Sequence, residues 1–281
     1  MKKKGYVLFR LPGDAEKKEI LNTLTELGTL EAAVEERGEH ITVMDSWEKR
    51  GELQATLQRA FPELAPEAEF LEERDWNREW IEGFQPIRIR EDFWITPPWH
   101  RSRIPQGSTD IIINPANAFG TGTHESTRLV LELLPGMLDP GDKVLDLGCG
   151  SGILSIAARK LGAGAVVAVD NDPEIRENFS ENTALNRLED IPLQIADVLQ
   201  MDDYSCDLAL VNIQKHIILP LLERFNVAKG APKRVILAGL LNEHREDVLN
   251  VLERQEYAVL QTPCRGLWMA VTALRRRTDE I

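Results

Sequence analysis

Two rhythms of apolar and polar positions run along this chain. In residues 1–73, "GYVLFRL", "TLEAAVEER", "HITVMDS" and "EAEFLEE" read as strands, the middle two folded about Arg37-Gly38-Glu39. Ile20, Leu21, Leu24 and Leu27 share one helical face. Leu53, Leu57 and Phe61 mark a second helix, ended by Pro62. The order β-α-β-β-α-β predicts a small α+β unit of the ferredoxin-like split arrangement. From residue 114 onward the rhythm changes. "KVLDLG", "AVVAVD", "IPLQIAD", "DLALVNI", "RVILAGL", "YAVLQTP" and "LWMAVTALR" read as strands. Helical stretches lie between most of them, such as "ILSIAARKLG" and residues near 215–226 and 243–255. This alternation predicts a mostly parallel, seven-stranded α/β sheet with helices on both faces. Ligands bind such sheets beyond the carboxyl ends of the strands, where the strand order reverses.

Residues 74–113 fit neither rhythm. Trp76, Trp80, Trp94 and Trp99 lie there, and Ile111-Ile112-Ile113 reads as a strand at the end. The tryptophans serve either as packing beneath the second domain or as a wall of a substrate cleft. Three segments are therefore expected: a ferredoxin-like domain over 1–73, a Trp-rich connector over 74–113, and a ligand-binding domain over 114–281.

Charge narrows the partners. A formal net charge of -13 argues against broad contact with phosphate backbones, which needs a basic surface, so no DNA binding is expected. The start "MKKKGYVLFRLPGD" lacks a signal-peptide core, and no apolar run approaches the ~20 residues of a membrane span. Cys149, Cys206 and Cys264 are scattered, without metal or disulfide spacing. The histidines form no ligand pair at helical spacing, so no metal is expected. A cytoplasmic monomer is the expectation.

The densest chemistry is "VLDLGCGSG", residues 144–152, which leaves a strand and enters a helix. Gly148, Gly150 and Gly152 permit a sharp bend and close approach of a ligand. Asp146 makes the turn acidic. The dinucleotide pattern needs a further glycine where Ile153 stands, and no lysine follows as in a phosphate loop. A diphosphate is therefore disfavoured. Asp170 ends the second strand, where a carboxylate accepts from both hydroxyls of a ribose. Asp172 and Pro173 read as the start of the next helix. Asp197, after "LQIA", either meets an adenine amino group or caps a surface turn.

This constellation resembles a class I S-adenosylmethionine-dependent methyltransferase, whose donor is a sulfonium nucleoside without phosphate. The chain is further similar to the ribosomal protein L11 methyltransferase family. "NPANAFGTGTHEST", "DLGCGSGILSIAARKLGA", "AVDNDP", "EN-x-x-LN", "VNI" and the "DWNREWIEGFQPIRIREDFWITPPW" connector carry the likeness. It covers about the last two-thirds of the chain and the order of elements before it. The resemblance implies a Rossmann-like class I fold, S-adenosylmethionine as cofactor, a small N-terminal recognition domain, and methylation of amino groups on a large-subunit ribosomal protein. It also places a cofactor-contacting threonine at Thr127. The chain departs from the family pattern at Asn114-Pro115-Ala116, at Ser126 before Thr127, and at Gln214-Lys215-His216 after Ile213.

Beside that resemblance the loop is read as a cover for the donor's methionine end. Thr121 and Thr123 offer hydroxyls, Thr123 as N-cap of the next helix with Glu125 in its first turn. Asn212 ends the fourth strand of the sheet, where its amide oxygen can accept from an acceptor amine or contact the cofactor. His124 is placed either as a base or as a capping and packing residue. Other acceptors, such as a lysine of another protein or a small amine, fit the same site. So does a donor-binding module that docks on ribosomes without transfer.

Overall fold

The computed structural model describes residues 5–12, 33–37, 40–46, 49–60, 62, 67–72, 84–115 and 122–276. The chain divides into two compact units, Met1–Gly83 and Phe84–Ile281. The first holds β1 (Gly5–Pro12), β2 (Ala33–Arg37), β3 (His40–Ser46), α1 (Arg50–Ala60) and β4 (Glu67–Glu72). Its sheet runs β2-β3-β1-β4, antiparallel throughout. That is the strand order of the split arrangement. Arg37 pairs with His40 at the end of the β2–β3 register. Val7 and Phe9, two apart on β1, are buried, as are Leu53 and Leu57, one helical turn apart on α1. The helix expected around Ile20 to Leu27 lies outside the described residues.

The second unit begins with a three-stranded sheet, β5 (Ile87–Arg90), β6 (Phe93–Thr96) and β7 (Thr109–Ile112), in the order β5-β6-β7. The later part of the Trp-rich stretch thus builds structure of its own. Its buried Ile95, Ile111 and Ile113 join the core that underlies the next helices. Trp94 faces the cation of Arg88, 5.8 Å from its ring centre. Trp76 and Trp80 lie outside the described residues.

Then come α2 (Glu125–Met137), β8 (Lys143–Leu147), α3 (Ile153–Lys160), β9 (Ala165–Asp170), α4 (Ile175–Leu185), β10 (Leu193–Ile195) and β11 (Leu208–Asn212). After them follow α5 (Lys215–Val227), β12 (Arg234–Leu241), α6 (Arg245–Arg254), β13 (Tyr257–Gln261), β14 (Cys264–Arg265) and β15 (Trp268–Arg275). The sheet runs β10-β9-β8-β11-β12-β15-β13, with β14 paired only to β15. β10 through β12 are parallel; β15 is antiparallel to β12 and β13. The order reverses between β8 and β11, so their carboxyl ends open a crevice.

Alternation along the central strands sends side chains to two cores. Val144, Leu208, Leu210, Ile236 and Ala238 pack on one face with α2, α3 and α4. Leu145, Leu147, Ala209, Val211, Val235 and Leu237 pack on the other with α5 and α6. Asp146 falls on the first of these faces, where the pattern calls for an apolar residue. At the opposite end of the sheet, Arg234 grips Asp142 with two bonds of 2.8 Å and reaches Asp139 and the Met137 carbonyl at 2.7 and 2.9 Å. Asp142 is buried.

Arg234→Met should therefore destabilise the chain by about 3 kcal/mol, because it leaves a buried carboxylate without its cation. Asp139→Ala, at the exposed end of the same cluster, should cost less than about 1 kcal/mol. Urea unfolding of the two variants checks the contrast.

Candidate functional site

The site grows from the end of β8. Gly148, Gly150 and Gly152 all have positive φ, at 81°, 48° and 81°, a region that favours glycine. The amides of Gly148 and Cys149 both donate to the Val169 carbonyl, at 2.8 and 3.1 Å, which pins the turn to the end of β9. The Gly150 amide donates to Asp170 Oδ2 at 2.8 Å. The sequence alone suggested that these glycines make room for a ligand. At two of them the room is used by the protein itself. A Cβ at Gly148 would lie 2.2 Å from Ile213 Cγ2, and one at Gly152 would lie 2.8 Å from the Phe179 ring.

Two carboxylates flank the turn. Asp170 is half-buried; its second oxygen accepts from the Asp172 amide at 3.0 Å. Asp146 has no solvent exposure. The Ser155 hydroxyl donates to its Oδ2 at 2.6 Å, while Oδ1 meets no hydrogen-bond partner among the described residues. Burial pushes the Asp146 carboxyl up to about 7; the Ser155 bonds oppose this and the charge of Asp170 adds to it. Ser155 gave no sequence signal, since it sits inside an apolar helical run.

Asp197 lies beyond β10 and is exposed. It accepts from the Leu199 amide at 2.8 Å and the Gln200 side chain at 3.0 Å, the local bonding of a turn aspartate. Asp172 caps a turn through the Glu174 amide at 2.8 Å. The N-cap of α4 is Glu174, two residues later than expected.

On the far wall, Thr121 lies outside the described residues and Thr123 is exposed. The N-cap of α2 is His124, not Thr123. Its Nδ1 accepts from the Ser126 amide at 3.2 Å and lies 2.7 Å from Ser126 Oγ. The imidazole was the better cap because its ring also packs edge-on against Trp268, with centroids 4.5 Å apart. Of the two readings of His124, capping and packing is the one seen. One turn on, Thr127 is fully buried and its Oγ1 accepts from Asn212 Nδ2 at 3.2 Å. Asn212 Oδ1 is buried without a hydrogen-bond partner among the described residues. α2 and β11 thus bring together two residues 85 positions apart.

Ile213, just after Asn212, is held from both sides. Its side chain fills the space at Gly148. Its backbone fills that at Gly239, where φ is 79° and a Cβ would meet the Ile213 carbonyl at 2.2 Å. Gly239 lies at the register shift between β12 and β15. Gln214 is the N-cap of α5 and makes no side-chain capping bond. Lys215 is drawn toward Asp247, at 3.3 Å, and His216 is exposed.

The reversed strand order and a glycine turn whose amide meets an acidic residue on the next strand, with no phosphate-binding lysine, define a class I S-adenosylmethionine-dependent methyltransferase. The donor's chemistry suits the site. A cation is matched by two buried acceptors, Asp146 Oδ1 and Asn212 Oδ1, that meet no donor among the described residues.

Comparison with known proteins agrees. The model of the family "Ribosomal protein L11 methyltransferase (PrmA)" matches residues 15–276. A ribosomal protein L11 methyltransferase of Halorhodospira halophila is 37% identical over 211 residues, 74% of this chain and 71% of that protein. One from Neisseria meningitidis is 40% identical over 195 residues, 69% of this chain and 64% of the relative. The crystal structure of a ribosomal protein L11 methylase from Lactobacillus delbrueckii subsp. bulgaricus superposes with a TM-score of 0.63 at 30% identity, over 69% of this chain and all of that one. The chain belongs to the ribosomal protein L11 methyltransferase family. It is a protein methyltransferase, and S-adenosylmethionine is its methyl donor.

The raised pKa of Asp146 has a stability consequence. The native chain binds a proton there that the unfolded chain releases near pH 4. The group therefore favours the fold at low pH, and that stability is lost as pH rises from about 4 through about 7, for about 4 kcal/mol in all. Asp146→Asn should remove this slope and make the ligand-free protein more stable than the unmutated one at pH 8. Urea unfolding at pH 5 and pH 8 measures it.

Proposed function

We propose that this chain methylates amino groups, lysine side chains or the N-terminal α-amine, of ribosomal protein L11, in the cytoplasm. Family membership supports the substrate, and the acceptor oxygen of Asn212 is the single observation that carries the chemistry. Residues 1–73 are assigned to recognition of the protein substrate. The crevice beyond β8, β9 and β11 is assigned to the donor.

When bound, S-adenosylmethionine supplies an electrophilic methyl group on a sulfonium. Asp170 holds the ribose hydroxyls, kept in place by the Gly150 amide. The turn from Gly148 to Gly152 forms the floor. Asp146 and Thr127 line the methionine end, with Thr121 and Thr123 on the covering loop. Asp197 is assigned to the adenine amino group, its oxygens also accepting from the Leu199 amide and the Gln200 side chain. Asp146 favours a cationic ligand, and such a ligand in turn favours its ionised form.

The acceptor nitrogen must arrive neutral. At pH 7 this costs about 4.6 kcal/mol for a lysine and about 1.4 kcal/mol for an α-amine. Excluding water around the amine lowers that cost. Asn212 contributes direction. Thr127 fixes its NH2 group, so its carbonyl oxygen is aimed to accept from the amine N–H and turn the lone pair toward the methyl carbon. Such alignment supplies several kcal/mol without a dedicated base. The His124 ring nitrogen that caps α2 is committed to that bond, so no proton is routed through it.

Asn212→Ala should lower the single-turnover rate by about 100-fold while donor affinity changes by less than about threefold. Asp170→Ala should do the reverse, weakening donor binding by about 100-fold through lost hydroxyl contacts. Calorimetry with S-adenosylmethionine and labelled transfer to purified L11 separate the two effects. Absence of transfer to L11 by the unmutated chain overturns the proposed substrate.

A further inference from the structure

The motif "EN-x-x-LN" at the end of α4 has no role in the chemistry above, yet it carries a dense set of buried hydrogen bonds. Asn178, Asn182 and Asn186 stand four residues apart on one face of α4 and its C-cap, all buried. Asn186 meets both backbone groups of Ile112: Oδ1 accepts from its amide at 2.9 Å and Nδ2 donates to its carbonyl at 2.6 Å. Asn182 Oδ1 accepts from the Asn114 amide at 2.8 Å. Asn178 Nδ2 donates to the Asn114 carbonyl at 3.4 Å, and the Asn114 side chain donates to Glu181 at 2.8 Å. Four helical residues rise about 6.0 Å, and two extended residues rise about 6.6 Å. The asparagine stripe therefore keeps step with alternate peptides of the chain leaving β7. The helix supplies the hydrogen bonds that a neighbouring strand would give.

One rung does more. Asn182 Nδ2 also donates to the Ser151 carbonyl at 2.9 Å, inside the glycine turn. A single side chain with no solvent exposure thus joins the root of the loop before α2 to the turn after β8. Asn186 makes no contact with the turn among its bonds. We propose that Asn182 is a positioning residue for the donor: it ties the loop root at Asn114 to the glycine turn at Ser151, so that the two walls of the donor site are set together. This rests on the assignment of that crevice to S-adenosylmethionine.

The test compares two rungs. Asn182→Asp keeps the acceptor toward Asn114 but loses the donor toward Ser151 and toward Asn178 Oδ1. It should raise the donor Kd and donor KM about tenfold, equivalent to about 1.4 kcal/mol, with acceptor KM and the turnover at saturating donor little changed. Asn186→Asp should lower thermal stability comparably while leaving donor Kd within about twofold. Equal loss of donor affinity in both variants, or none in Asn182→Asp, overturns the inference. Amide exchange in the unmutated chain reads the link without a substitution. Saturating S-adenosylmethionine should slow exchange at Asn114 along with Gly150 and Gly152. Protection of the turn with Asn114 unaffected also overturns it. If the unmutated chain takes up no S-adenosylmethionine, the donor assignment itself falls, a result distinct from normal uptake with an indifferent Asn182.

Discussion

The hydrogen bond from the Gly150 amide to the Asp170 carboxylate sets the geometry on which the site depends. It requires β8 and β9 to run parallel, with Leu147 beside Val169, so that both strands end at one level. It also requires a turn in which successive amides point back toward β9. Positive φ at three glycines supplies that turn, and the Val169 carbonyl holds it by accepting two amides. A charged side chain that would otherwise be free to rotate is fixed by the backbone beside it.

A second constraint aims the opposite wall. Ile213 is caught between the missing Cβ atoms of Gly148 and Gly239. Asn212, the preceding residue, thereby has little freedom, and its amide is further fixed by Thr127. The glycine of the donor turn and the bulge glycine of β12 act on the same residue. Ile213 and Gly239, which gave no sign of chemistry in the sequence, thus help to position Asn212. Asp146 adds a local conflict: a carboxylate on an otherwise apolar sheet face, stabilised only in part by Ser155. Such conflicts gather at functional sites because a ligand resolves them.

Much of this was readable from the chain. The strand runs of the α/β part and the glycine turn with its two acidic neighbours appear in the structure where the spacing put them, whereas the second compact unit begins at Phe84, ahead of the change of rhythm near residue 114. Local signals were less dependable at helix starts. Thr123 has the higher capping preference, but His124 caps α2, because an imidazole at that position also meets Trp268. Pro173 suggested an immediate helix, but a turn closed by Asp172 comes first. In the Trp-rich stretch the runs "IRIR" and "FWIT" form β5 and β6, each of only four residues, at the lower limit for alternation to mark a strand.

The sequence by itself determined a mostly parallel sheet with helices on both faces, a sharp glycine bend after the strand "KVLDL", and residues at that bend that disfavour a diphosphate. These follow from periodicity, glycine and residue type, which act over a few neighbouring positions. Tertiary structure decided which distant groups meet: Asn212 with Thr127, Ile213 with two glycines, Asn182 with both Asn114 and Ser151. Those contacts depend on strand order and helix docking, set by the packing of two cores. A hydrogen bond between residues far apart in the chain leaves no spacing to read.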